Sequence, residues 1–259
     1  MTPVAMTIAG SDPSGGAGLQ ADLKTFHQHG VYGTSVVTLL TVQNTRTVLA
    51  VEILKPDFVM AQLDAVLADI PPRAAKTGAL GNVEVISAIA DRAKGFNFPL
   101  VIDPVMVSKH GVPLLAPEAT KALIDHLLPC AFLITPNLAE ASRLAGIEVS
   151  DISTMEEAAR RIGDMGPRHV LLKGGHLEGE STDLLWSNGQ IHRFPGSRID
   201  TLHTHGTGCV LSAAITARLA RGESLLSAVE GAKKFVHKAI ATHPGLGGGH
   251  GPINMFADV

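Results

Sequence analysis

The chain has 259 residues, 45% hydrophobic, 17% charged and 4% aromatic, with a formal net charge of -3. So small a charge gives no electrostatic basis for binding nucleic acid or an anionic membrane surface, and points instead to a small neutral or anionic substrate. A single domain spanning residues 1–259 is expected, since an α/β chain of this length buries a large core without disulfides or metal.

Cys130 and Cys209 are the two cysteines, far apart and outside any CxxC spacing, so they form neither a disulfide framework nor a zinc site. The opening MTPVAMTIAG lacks the basic start of a secretory signal, and no apolar stretch approaches the roughly 18 residues of a membrane helix. The expectation is a cytoplasmic protein with free thiols.

In chain order, a strand at MTIAG is followed by a helical pattern in AGLQADLKTFHQHG, closed by Gly30 as a left-handed cap. A second strand, TSVVTLLTVQ, precedes the helical PDFVMAQLDAVLADI, and further strands follow at LVIDPV, AFLITPN and HVLLKGG with helices between. Ser153 and Glu156 read as a capping box ahead of EEAARRI. This alternation predicts crossover units and a buried, mostly parallel sheet. The rhythm breaks where Asn188 and Gly189 separate TDLLW from QIHRFP, a strong hairpin signal that gives the sheet an antiparallel end. CVLSAAITARLARG and SLLSAVEGAKKFVHKAIATH then read as two helices, and GLGGGHGPIN as a glycine-rich loop.

Ligands of open α/β sheets gather beyond the carboxyl ends of the strands. On that rule Gly10 to Gly18, Gln43 and Asn44, Asp103, Asn137 and Glu140, and Lys173 to Gly175 should line one edge. Gly16, Gly18 and Ala21 match GxGxxA, but no acidic residue stands between Asp22 and Glu52 to hold a ribose, so a dinucleotide site is disfavoured. HGTGC at 205–209 feeds a helix through small residues and reads as an anion cradle. No GxxxxGK[ST] occurs, so the cradle has to do the work of a P-loop, with Lys173 as a compact charge beside it. Asp103 and Glu140, with Asn137, offer hard oxygen groups suited to magnesium, although Asp103 also reads as a turn residue before Pro104 and Asn137 as a helix cap. The pairs HQH and HTH match no common zinc spacing.

Cys209, at a helix start, is expected to have a lowered pKa. It fits a covalent thiol enzyme with His203 or His205, a proton acceptor in phosphoryl transfer, or a small packing residue.

The blocks AGSDPSGGAGLQADLKTF, TVQNT, DPVMV, ITPNLAEA, VLLKGGH, HGTGCVLSAAI and GGGHGPIN together resemble the hydroxymethylpyrimidine/phosphomethylpyrimidine kinases of thiamine biosynthesis, within the ribokinase superfamily. The resemblance implies a three-layer α/β/α fold with a mostly parallel sheet, a homodimer, and transfer of the γ-phosphoryl group of ATP with Mg2+. The acceptor would be 4-amino-5-hydroxymethyl-2-methylpyrimidine and then its monophosphate. It implies a substrate side formed by Gly10, Asp22, Val42, Gln43 and Ala79, with the Gln43 amide reading the ring. It places ATP in the C-terminal half against Lys173, Thr207 and Lys233, the cation at Asp103 and Glu140, and catalysis at Lys173, Gly206, Gly208 and Cys209. Where these kinases commonly read KxGML this chain has KTGAL, and Ala79 leaves a larger ring pocket that makes pyridoxal an alternative substrate. KHGVP at 109–113 is also unusual, replacing a stretch that in such kinases often reads KSGD, and is expected to alter a flap over the site. A thiol-dependent hydrolase or acyltransferase and a catalytically silent pyrimidine-binding regulator remain as readings from other classes.

Overall fold

A computed structural model describes residues 2–108, 111–175 and 181–259. Lys109 and His110 of the KHGVP stretch, and His176, lie outside the described residues.

The strands are β1 (Val4–Ser11), β2 (Tyr32–Gln43), β3 (Val48–Ile53), β4 (Ala74–Thr77), β5 (Leu100–Ile102), β6 (Leu133–Ile134), β7 (His169–Leu172), β8 (Asp183–Ser187) and β9 (Gln190–Phe194). They form one sheet in the order β3-β2-β1-β4-β5-β6-β7-β8-β9. The six from β2 to β7 through β1 pair in parallel, whereas β2 with β3, β7 with β8 and β8 with β9 pair antiparallel. Eight α-helices accompany them among the described residues: α1 (Gly18–Gln28), α2 (Pro56–Asp69), α3 (Val83–Ala93), α4 (Pro117–Ala122), α5 (Leu138–Ala145), α6 (Ile152–Gly163), α7 (Thr207–Ala220) and α8 (Leu225–Ala241).

Alternation along the buried strands sorts side chains to two faces. Met6, Ile8, Ala75, Leu100, Ile102 and Ile134 share one core with α2 to α6. Their neighbours in sequence, Val101, Leu133 and Leu171, face the other core, built from α1, α7 and α8. The result is the expected three-layer α/β/α fold. The chain leaves β1 toward β2 on one side and returns to β4 on the other, so the crevice between β1 and β4 is a topological switch point of the kind at which ligands bind.

The hairpin forms as expected, with Asn188 at φ 52 and Gly189 at φ 77 in the primed-turn conformation that matches strand twist. Gly30 is left-handed at φ 70 after α1. Two details differ. The capping box of α6 is Asp151 with Thr154, two residues before the expected Ser153 and Glu156; Asp151 Oδ1 accepts from the Thr154 amide at 2.7 Å, leaving Glu156 to receive Arg193 Nη2 at 2.6 Å. An aspartate and a threonine satisfy the two orphan amides as well as the Ser/Glu pattern does. The second antiparallel edge, β2 with β3, was not marked by a two-residue turn in the sequence.

His29, at the end of α1, is buried, donates a hydrogen bond through Nδ1–H to the Thr25 carbonyl at 2.9 Å, and meets the Phe235 ring edge-on at 4.7 Å. Burial, helped by Arg218 and Arg221 against the Thr25 bond, pushes its pKa from 6.5 down to about 4. The folded protein therefore binds fewer protons here than the unfolded chain: the stability from neutral His29 is complete above pH 6.5 and is lost as pH falls toward 4. That is about 3 kcal/mol. His29→Gln should show a shallower fall of the urea midpoint between pH 7 and pH 4.5 than the parent (about one buried histidine's worth); equal slopes would contradict the assignment.

Candidate active site

The carboxyl ends of β1, β2, β4, β5 and β7 and the start of α7 surround one cleft of about 1470 Å³. Its lining includes Gly10, Asp12, Gln43, Lys76, Ala79, Asp103, Asn137, Glu140, Lys173 and Gly206 to Cys209, and it extends to Lys233 on α8. The strand-end residues picked from the sequence are thus brought to one edge.

Gly206 is the N-cap of α7 and takes φ 83, where a side chain would overlap the carbonyl oxygen of Gly16 in the loop after β1. Only glycine permits that approach, and it fixes the helix start against the first loop. The next amides, of Gly208 and Cys209, have no hydrogen-bond partner among the described residues and point their partial positive charge outward from the helix end. Thr207 Oγ1 donates to the Thr204 carbonyl at 2.8 Å and steadies the turn.

Behind Gly208 stands the charged cluster. Lys173 Nζ donates to Asp103 Oδ1 at 3.1 Å, and a methyl placed on Gly208 would lie 3.2 Å from that nitrogen and 3.8 Å from Asp103 Oδ2. Asp103 also receives Ser212 Oγ at 3.3 Å and Thr135 Oγ1 at 3.4 Å. Burial opposes the charge on Lys173, but Asp103 and Glu140 outweigh it and hold its pKa above the usual lysine value. Glu140 makes a capping box with Asn137, its Oε2 accepting from the Asn137 amide at 2.8 Å. Burial, with Asp103 adding to it and Lys173 opposing, pushes Glu140 up to about 7. Two buried carboxylates at neighbouring strand ends would suit a hard divalent cation, which takes one or two such groups and completes its shell with waters and phosphate oxygens. No group of three or more histidine, cysteine, aspartate or glutamate side chains forms a metal cage among the described residues.

On the other side of the cradle, Asp12 and His205 face each other, Asp12 Oδ2 lying 2.7 Å from His205 Nε2, and Gln43 Nε2 lies 3.3 Å from the same ring nitrogen. Thr41 Oγ1 donates to Gln43 Oε1 at 3.3 Å. Gln43 is therefore held within the cleft, which Gly10 and Ala79 also line. At the far end Lys233 donates to Asp183 Oδ2 at 2.8 Å and to the Ser181 carbonyl at 3.1 Å, while Asp183 Oδ1 accepts the Gly174 amide at 2.8 Å.

Three expectations are corrected. Cys209 does not have a lowered pKa: burial, with Asp103 and Asp22 adding to it and Lys76 opposing, pushes the thiol up to about 12, so the helix terminus does not prevail. Asp22 is not available to a substrate, because its side chain is fully enclosed and its oxygens are taken by Lys76 Nζ at 2.7 Å and Thr7 Oγ1 at 2.6 Å. Val42 points away from the cleft, 55% exposed, since alternation along β2 puts Thr41 and Gln43 on the cleft side and Val42 on the other. Sequence reasoning missed Lys76, Asp12 and Asp183. In KTGAL the alanine departs from the related kinases, but the lysine, inside a wholly buried strand, is itself a signal.

A doubly wound sheet whose switch point holds unpartnered helix-end amides beside a lysine–carboxylate cluster, with no P-loop in the sequence, has the build of a ribokinase-like small-molecule phosphotransferase. The family model described as phosphomethylpyrimidine kinase matches residues 12–254. The hydroxymethylpyrimidine/phosphomethylpyrimidine kinase of Rhizobium meliloti (strain 1021) is 49% identical over 260 residues, covering 99% of this chain and 98% of that relative. Among solved structures, the phosphomethylpyrimidine kinase from Clostridium difficile 630 superimposes with a TM-score of 0.83 at 44% identity, over 92% of this chain and all (100%) of that one. The pyridoxal kinase from Staphylococcus aureus in complex with AMP-PCP and pyridoxal gives 0.92 at 38% identity, over 99% and 94%. The chain belongs to the phosphomethylpyrimidine kinase family.

Gly208→Ala tests the cradle directly. Alanine favours a helix over glycine by about 1 kcal/mol, so the variant should be at least as stable as the parent. Its methyl occupies the space over Lys173, and phosphoryl transfer should fall on the order of 100-fold or more, as when an oxyanion donor is lost. Full activity with unchanged stability would remove the cradle assignment.

Proposed function

We propose that the chain is a single kinase domain, residues 1–259, that phosphorylates 4-amino-5-hydroxymethyl-2-methylpyrimidine with ATP and then phosphorylates the monophosphate to the diphosphate. The observation that carries the reading is the unbroken cleft from Gln43 and Ala79, past the Gly206 to Cys209 cradle, to Lys233. A ring and a triphosphate can lie end to end in it with the reacting atoms at the cradle.

Gln43 can donate to a ring nitrogen while accepting from an exocyclic amine, which suits an aminopyrimidine. The free amides of Gly208 and Cys209 with Lys173 would hold the transferring group, and Lys233 would reach the nucleotide if it exchanges Asp183 for phosphate. Asp103 and Glu140 would hold Mg2+, which when bound neutralises charge on bridging phosphate oxygens. Transfer through a loose transition state leaves the substrate hydroxyl's proton in place until late, so the nucleophile needs orientation more than a strong base. A protonated Cys209 beside that hydroxyl fits this demand. It fits a covalent thiol enzyme poorly, because the thiolate is the nucleophile in such chemistry.

Ala79, where related kinases commonly carry methionine, is the specific observation behind a second reading, in which the ring is pyridoxal. The two free thiols and the absence, among the described residues, of any helix long and apolar enough to cross a membrane support a cytoplasmic enzyme. Leu40, Val42 and Leu49, exposed on β2 and β3 at one edge of the sheet, support a second copy as partner.

ADP release measured with hydroxymethylpyrimidine, its monophosphate and pyridoxal decides among these readings. Turnover of both pyrimidines in preference to pyridoxal is expected; turnover of pyridoxal alone would replace the first reading with the second. Cys209→Ala should fold and bind ATP while losing about 10- to 100-fold in kcat, the range for a positioned proton-handling group. An undiminished kcat would remove Cys209 from the reaction.

A further inference from the structure

Behind the cradle lies an ion pair that the reaction scheme above does not use. Lys76, in β4, and Asp22, in α1, have side chains with 0% exposure and meet at 2.7 Å. The other oxygen of Asp22 accepts Thr7 Oγ1 from β1 at 2.6 Å. A pair this deep loses so much hydration that apolar residues of similar size would serve stability as well or better. Its position is more informative than its strength. The second contact of Lys76 Nζ is the carbonyl of Cys209 at 3.4 Å, in the first turn of α7, and its third N–H has no acceptor among the described residues. Both side chains are packed directly beneath the floor of the cleft, on the Cys209 side.

We propose that Lys76 is the positioning and charge partner of Cys209, and that Asp22 is the group that fixes Lys76 in place. The inference rests on the reading that Cys209 faces the substrate hydroxyl. Four charged groups bear on the thiol: Lys76 from β4, Asp22 from α1, Asp103 after β5 and Lys173 after β7. Lys173 is already engaged by Asp103 and shared with Glu140. Burial and the two aspartates resist ionisation of the sulfur, and Lys76 is the cation that opposes them. Through the carbonyl it also holds the turn that presents the sulfur and the free amides. The two members of the pair thus act on the thiol with opposite sign, although either substitution breaks the same ion pair.

That opposition gives the test. In a Cys130→Ser background, Cys209 is the only thiol, and its rate of alkylation by iodoacetamide between pH 7 and pH 9.5 follows the thiolate fraction. Lys76→Met should slow alkylation on the order of tenfold or more at each pH, and Asp22→Asn should speed it several-fold, for a neighbouring charge shifts a pKa by about 1–3 units. Both should lower the urea midpoint. Lys76→Arg keeps the charge and should restore the parent rate to within a few-fold. If Lys76→Met does not fold, Lys76→Gln replaces it with the same expected slowing. A purely structural pair predicts that both substitutions loosen the protein and change alkylation in the same direction; that result, or no change in either, would overturn the proposal. Alkylation needs no turnover, so its outcome is separate from the kinase reading, which ADP release tests. If both hold, Lys76→Met should also lower kcat while leaving the KM for ATP near that of the parent.

Discussion

The contact on which the site depends is the approach of Gly206 to the carbonyl of Gly16. It joins the start of α7 to the loop after β1, two segments almost two hundred residues apart in sequence. With α7 pinned there, its first amides face the switch point of the sheet, the Cys209 sulfur lies within reach of the Gly18 amide, and Ser212 one turn later meets Asp103. A bulkier residue at either glycine would move the helix end away from the strand ends and separate the cradle from the lysine beneath it. The charged residues are placed by the sheet, but the unpartnered amides stand over them because this one helix ends where it does.

Burial then decides the chemical character of the groups collected there. A helix terminus alone lowers a thiol's pKa, yet around Cys209 loss of hydration and two nearby carboxylates outweigh it. Glu140 is raised for the same reasons. The site is one in which positive dipoles and lysines are set against an excess of enclosed carboxylate, so its ionisation is governed by what it encloses as much as by which residues it contains.

Much of this was legible in the sequence. The crossover rhythm, the Asn188–Gly189 hairpin and the assembly of Gln43, Asp103, Glu140 and Lys173 at one edge follow from strand periodicity and from the rule that ligands sit at carboxyl ends. What sequence reasoning missed depended on three-dimensional enclosure. Asp22 stands in a glycine-rich loop-and-helix segment like a ligand-binding residue, and only the arrival of Lys76 from another strand consumes it. Val42 shares a motif with Gln43 but alternation turns it to the opposite face. Asp12 and Asp183 meet their partners His205 and Lys233 across 193 and 50 residues, distances over which no local pattern operates. The capping box at Asp151 was misplaced because several residue types satisfy the same two amides.

Three of the lysines that line the cleft share one feature: Lys76 is matched by Asp22, Lys173 by Asp103 and Lys233 by Asp183. Each of these three cations carries its own counterion, so the three ammonium groups add little net positive field to the cleft. Stray inorganic anions at cellular concentrations gain little there, because seating one means prying a lysine from a carboxylate and leaving that carboxylate enclosed without a partner. A ligand that brings positive charge along with its phosphates escapes that penalty, since the released carboxylates have something to hold. At these three positions the pairing itself thus weighs against a simple anion, before any contact with the organic part of a substrate.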